Sequence, residues 1–134
     1  MNNGKCVCGE ISYEIDEKIE TLYQCHCSIC QIQTGSSCQT GAFVSALNFK
    51  WCSGEDKIIT YSKQTGYSYS FCSCCGATVP NMFRSGDKYW VPAGAMLGLK
   101  GAQIKNHIFV SDRAEWDHIA GNGMQHPGFY PVYA

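Results

Sequence analysis

The stretch Cys6-Val7-Cys8-Gly9-Glu10-Ile11-Ser12-Tyr13-Glu14-Ile15-Asp16 carries two signals in eleven residues. Its second half alternates Ile11, Tyr13 and Ile15 with Ser12, Glu14 and Asp16, the period-two pattern of a strand with one buried face. Its first half is a Cys-x-Cys turn closed by glycine, a spacing that lets two sulfurs face one ion at about 2.3 Å but strains a disulfide. A β chain clipped by metal is the expectation, and the rest of the sequence extends it. Tyr67, Tyr69 and Phe71 alternate with Ser68 and Ser70, and 41–44, 57–62, 88–93 and 107–110 read as further strands. Turn signals at 53–56, 64–66 and 85–87 space them as an antiparallel meander. Helical period is confined to one or two short turns, 28–34 ended by Gly35 and 113–120 ended by Gly121.

With 134 residues, 1–134 is expected to be one domain, mostly β, with 121–134 an extended C-terminal tail whose Phe129, Tyr130 and Tyr133 dock on it. Apolar residues at 45% are enough for a core, which argues against general disorder. A net charge of -1 without a like-charge run gives no electrostatic footprint for nucleic acid or an anionic membrane surface. The longest apolar stretch, 90–99, is interrupted by Pro92, Gly94 and Gly98 and falls short of the ~20 residues of a membrane span. The N-terminal residues lack the apolar run of a secretory signal, so the cytoplasm is the expected compartment. In that reducing setting the ten cysteines read as metal ligands or catalytic groups rather than disulfides.

They form three clusters, Cys6/Cys8, Cys25/Cys27/Cys30 and Cys72/Cys74/Cys75, with Cys38 and Cys52 alone. Gly9 and Gly76 follow the first and third clusters, where glycine permits a tight turn with backbone N–H groups aimed at sulfur. Cys6, Cys8, Cys72 and Cys75 then make the closed four-thiolate set of a structural zinc, and Cys74, which can replace Cys72 or Cys75, is most simply a spare thiol. Cys25, Cys27 and Cys30 are three ligands, the number that leaves a zinc position open for chemistry, so a second, exchangeable zinc is expected there. With three thiolates the formal charge is +2 − 3 = −1, a weak Lewis acid that still takes an incoming thiol as thiolate, so the substrate is a thiol or thiol adduct. His26 either closes that set as a fourth ligand or, favoured because it alternates with its neighbours, acts from behind as a hydrogen-bond partner or proton shuttle. His107, His118 and His126 read as structural or surface residues, Cys38 and Cys52 as core thiols, and Trp51, Trp90 and Trp116 as core.

The order and spacing of Gly4-Lys5-Cys6-Val7-Cys8-Gly9, Cys25-His26-Cys27-Ser28-Ile29-Cys30 with Gly35-Ser36, and Phe71-Cys72-Ser73-Cys74-Cys75-Gly76 resemble the glutathione-dependent formaldehyde-activating enzyme family, which includes the centromere protein V domain. Trp51-Cys52-Ser53-Gly54-Glu55, Pro92-Ala93-Gly94 and His107-Ile108-Phe109 with Trp116 strengthen the likeness, which covers 4–118. The resemblance implies a β-tent fold with a structural zinc on Cys6, Cys8, Cys72 and Cys75 and a catalytic zinc on Cys25, Cys27 and Cys30. It further implies a carbon–sulfur lyase that joins glutathione and formaldehyde into S-hydroxymethylglutathione, or splits that adduct. This sequence departs from the family where Gln31 and Ile32 replace basic residues common after the third central cysteine, and at Cys38 and Cys74. A glutathione carboxylate would then be met by Lys63, Arg84 or Arg113. The competing reading is a non-catalytic zinc module that binds a protein partner.

Overall fold

A computed structural model describes residues 1–133. The strands are β1 (Asn2–Lys5), β2 (Ser12–Ile15), β3 (Thr21–Cys25), β4 (Gln39–Ser45), β5 (Phe49–Ser53), β6 (Ile58–Ser62), β7 (Ser68–Cys72), β8 (Thr78–Val79), β9 (Asn81–Met82), β10 (Lys88–Pro92), β11 (Gln103–Ile108) and β12 (Met124–Gln125). One α-helix, α1 (Ser28–Thr34), follows β3 and ends at Gly35, whose φ of 66° is the left-handed cap that glycine allows. The mostly-β expectation and the first helical turn therefore hold.

The strands form three sheets, ordered β1-β2-β5, β12-β11-β3-β4-β10-β9 and β6-β7-β8. Sheets of antiparallel strands alone were expected, but β11 runs parallel to both β3 and β12. The long excursion from α1 through β10 returns the chain to β3 in the same direction, which a hairpin cannot do. The main core lies between the first two sheets, with Tyr13 and Ile15 of β2 packed on Ala42 and Val44 of β4 and Val91 of β10. Trp51 closes one side of this core, edge-on to Tyr13 at 5.8 Å.

The second expected helix, 113–120, is absent; after a single 3₁₀ turn at Val110–Asp112 the chain runs through 113–120 as a loop. The N–H groups of Phe109, Val110 and Ser111 donate to the carbonyls of Gly128, His126 and Pro127, so this segment is zipped to the tail. Trp116, expected in the core, is 65% exposed, which leaves such a short helix no apolar face to bury. Cys52 is exposed rather than a core thiol, and Cys38 is half-buried. The tail does dock: Tyr133 packs on Phe83 at 5.1 Å between ring centres, and Tyr130 stacks on His126 at 3.8 Å. Phe129 stays largely exposed.

On β7 the alternation is right and the facing is reversed. Ser70 and Cys72 are buried, while Tyr67, Tyr69 and Phe71 are only half-buried. Ser70 is satisfied by Thr60 Oγ1 at 2.8 Å and Asn81 Oδ1 at 2.9 Å, which lets the polar face go inward. Two of the displaced aromatics, Tyr67 and Tyr69, help line a cavity described below. No helix among the described residues is long and apolar enough to cross a membrane.

Candidate metal centres

The first centre is built from two turns of the same design. Cys6 N donates to Ile11 O and Gly9 N to Cys6 O; Cys72 N donates to Ala77 O and Gly76 N to Cys72 O. Gly9 and Gly76 hold φ of 80° and 77°, a backbone that side-chain-bearing residues rarely adopt. Each turn also aims an N–H at a sulfur, Ile11 N at Cys6 Sγ and Cys74 N at Cys72 Sγ, both 3.3 Å. The first turn precedes β2 and the second follows β7, so the sulfurs of Cys6, Cys8, Cys72 and Cys75 meet within 4.8 Å of one another across two sheets.

Four sulfurs about 2.3 Å from one tetrahedral ion stand about 3.8 Å apart. Cys6 and Cys8 are 3.6 Å apart and Cys8 and Cys72 3.8 Å, so the group can hold a metal ion, and an all-thiolate set suits zinc. The N–H groups of Ala77 and then Cys8 draw the Cys75 thiol down to about 6, toward the ligating form. Ile11 and Val79 pack directly against Cys6 and Cys72, sealing the centre on its inner side. Cys74 is exposed and outside the group.

The second centre comes from one short segment. Cys25 ends β3, Cys27 caps α1 by accepting from Cys30 N at 3.3 Å, and Cys30 sits one turn into the helix. Their three sulfurs lie within 4.8 Å of one another, with no His, Asp, Glu or further Cys side chain joining them among the described residues. The crowding of Cys25 first, then of Cys30, favours the thiolate at Cys27 and pulls its thiol well down, while the same contact pushes Cys25 up. Crowded sulfurs of this kind store negative charge that a cation would neutralise.

His26 takes no part in the sulfur cluster. Its ring is 1% exposed, Nδ1 lies 2.7 Å from Asp117 Oδ2 and Nε2 lies 3.0 Å from His107 Nδ1, so both nitrogens are spent. Nδ1–H donates to the Asp117 carboxylate, and one hydrogen is shared between Nε2 and His107 Nδ1. This chain braces the Cys25-x-Cys27 turn from behind, and His26 N adds a bond to Ile108 O at 3.0 Å. Gln31, one of the positions that depart from the resemblance, is a second brace: its Nε2 donates to the carbonyls of His26 and Asp112, both at 2.9 Å. His107 is structural as expected, whereas Asp117 carried no sequence signal because its partner lies 91 positions away.

On their open side the three sulfurs border a cavity of about 580 Å³. Its walls are Tyr23, Phe43, Tyr67, Tyr69, Phe83 and Trp90, with Val132 of the tail packed near Cys25 and Cys30. Trp90 lies across Gly41, where any side chain would strike its ring. Of the three cations expected to meet a carboxylate, only Arg84 lines this cavity; Arg113 instead donates to Val110 O.

The family described as glutathione-dependent formaldehyde-activating enzyme matches residues 1–112. A protein from Rhodobacter sphaeroides whose crystal structure is known superimposes with a TM-score of 0.60 at 22% identity, covering 73% of this chain and 90% of that one, a likeness of fold. No functionally curated protein matches the sequence.

Proposed function

Because the chain belongs to the glutathione-dependent formaldehyde-activating enzyme family, we propose that it is a zinc-dependent carbon–sulfur lyase that makes or breaks the adduct of a thiol and an aldehyde, S-hydroxymethylglutathione being the family's type of product. The observation that carries the reading is the contrast in ligand number: four sulfurs gathered at one centre, three at the other, and a cavity on the side where the fourth is missing. Cys6, Cys8, Cys72 and Cys75 would hold the structural zinc, and Cys25, Cys27 and Cys30 the catalytic one. A zinc ion at the three cysteines supplies a site where a thiol binds as its thiolate.

The chain's own residues do the rest. Asp117, His26, His107 and Gln31 fix the turn that presents the sulfurs. The aromatic walls exclude water, and Arg84 offers a guanidinium to a carboxylate of the substrate. In the joining direction an S–C bond forms, the C=O π pair moves to oxygen, and that oxygen takes up the proton the thiol has lost. Tyr23 and Tyr67, both on the cavity wall and packed against the cluster of Cys25 and Cys30, are the phenols near enough to offer an O–H to that oxygen.

Replacing Cys27 with serine tests the reading. Turnover of the thiol–aldehyde adduct should fall at least 100-fold with the circular dichroism spectrum retained, and bound zinc should drop from two equivalents to one. Full activity in Cys27→Ser would remove the three cysteines from the chemistry. The competing module reading needs a closed second centre, and the commitment of both His26 nitrogens takes away the ligand that would have closed it.

A further inference from the structure

Resting on the reading that a thiol binds at Cys25, Cys27 and Cys30, we infer that the cavity selects a thiol whose body is aromatic or bulky and apolar and bears at most one carboxylate, in preference to glutathione. Size is the first reason. A cavity of about 580 Å³ is in the range that encloses a drug-sized ligand, so it admits a thiol with a sizeable body, and the wall and the charge then decide which one.

The wall is the second. Tyr67 just before β7 and Tyr69 within it, Phe43 of β4, Trp90 of β10 and Phe83 after β9 converge on it, and Tyr23 stacks beside Phe43 with ring centres 5.9 Å apart. The chain puts the serine face of β7 inside and leaves its aromatic face half-open, an arrangement that forgoes core burial of large apolar rings. Half-open aromatics around a concavity are what an apolar ligand covers.

Charge is the third. Arg84 is the one basic residue on the cavity wall and Asp112 the one acidic residue, among the described residues. Arg84 lies over the Phe83 ring at 5.4 Å and beside Gly66, placing the guanidinium at the rim formed by the 64–66 and 84–86 turns. Glutathione carries two carboxylates and one ammonium at neutral pH, and a lodged carboxylate without a cation is costly. Three thiolates around a divalent ion add a further negative charge, so a second carboxylate is disfavoured again. One carboxylate at Arg84, a ring among the aromatics and a sulfur at the three cysteines match the charge, the apolar wall and the sulfur cluster of the cavity, whose lining also includes Ser28, Gln39, Ser68, Asn81 and Asp112.

The test is calorimetric binding of 2-mercapto-3-phenylpropanoate and of glutathione to the full-length, zinc-loaded protein under reducing, oxygen-free conditions. The aromatic thiol should bind at least 10-fold more tightly. Arg84→Gln should weaken it about 5-fold or more, and Trp90→Ala should erase its advantage over glutathione; Tyr69→Ala serves the same purpose should the Trp90 variant not fold. Cys27→Ser should abolish binding of both thiols. Glutathione binding as tightly as the aromatic thiol, with both lost in Cys27→Ser, overturns the inference and leaves the thiol-site reading standing. Binding of neither thiol, or binding that ignores Cys27→Ser, overturns the thiol-site reading and the inference with it.

Discussion

The two sulfur clusters answer the same chemical need with opposite architectures. In the first, two glycine-ended turns flanking β2 and β7 each contribute a pair of cysteines, so the centre exists only when two sheets come together. In the second, all three cysteines lie within one six-residue segment, and the partners that hold it, Asp117, His107 and Gln31, are not themselves in the sulfur group. A centre assembled from distant segments binds its metal at the same step that orders the fold, whereas a centre carried by one segment can lose its ion locally. On the proposed reading, permanence and exchange would thus be set by where along the chain the ligands come from.

The sharpest way to break this contrast is a pair of substitutions. Cys72→Ser removes a ligand that ties β7 to the segment before β2, and should cost on the order of 5 kcal/mol or more, enough to leave most molecules unfolded at 25 °C. Cys27→Ser should leave thermal unfolding within a few degrees of the parent. Equal destabilisation by the two, read by circular dichroism melts, would mean that both centres are structural. A chelator titration asks the same question without mutation. One equivalent of zinc should leave at low chelator with the far-ultraviolet spectrum unchanged, and the second should leave only as the protein unfolds.

The legible part of this molecule was the part written in local spacing. The Cys25/Cys27/Cys30 cluster, each half of the four-sulfur group, the strand at 11–15, the helix at 28–34 and the glycine turns are encoded within a few residues each, and the structure has them where the spacing puts them. What depended on remote partners was hidden. The parallel pairing of β3 with β11 follows from the path of the chain between them, and Thr21–Cys25, with a polar Gln24 and a half-buried face, has little strand signal of its own. The reversed face of β7 was invisible because Ser70 goes inward only by virtue of Thr60 and Asn81. Asp117 was hidden for the same reason, and the helix expected around it fails because the N–H groups just before it, at 109–111, are paired to the tail.

Asp117 then offers a smaller test of what braces the three-sulfur centre. Asp117→Asn keeps the size of the side chain but exchanges a charged acceptor for a neutral one, loosening the hold on His26 Nδ1. Loss of an outer partner of this kind typically costs about 10–100-fold in metal affinity or activity. The second zinc equivalent should therefore dissociate roughly 10-fold more readily, measured by competition with a colorimetric chelator. The first equivalent should not change, and a change in both would show that Asp117 supports the fold as a whole.

The smallest effect is one of pH, and it separates the braces from the sulfurs. Burial first, and the neighbouring His26 second, hold the His107 imidazole below its ordinary value of 6.5. The folded protein thus favours neutral His107, and between the folded and unfolded values the unfolded chain binds more protons. Stability from this residue is fully present above about pH 6.5 and is lost as the pH falls through the lower, folded value. His107→Gln keeps an amide able to hydrogen-bond His26 but cannot titrate there. Denaturant midpoints measured from pH 7.5 down to pH 5 should fall less steeply for this variant than for the parent. Because thiolates also take up protons on that limb when a metal leaves, the comparison is made at saturating zinc, so that the difference in slope belongs to His107. Identical slopes would show that the imidazole titrates as freely in the folded chain as in the unfolded one, and that the buried pair with His26 does not discriminate between its charge states.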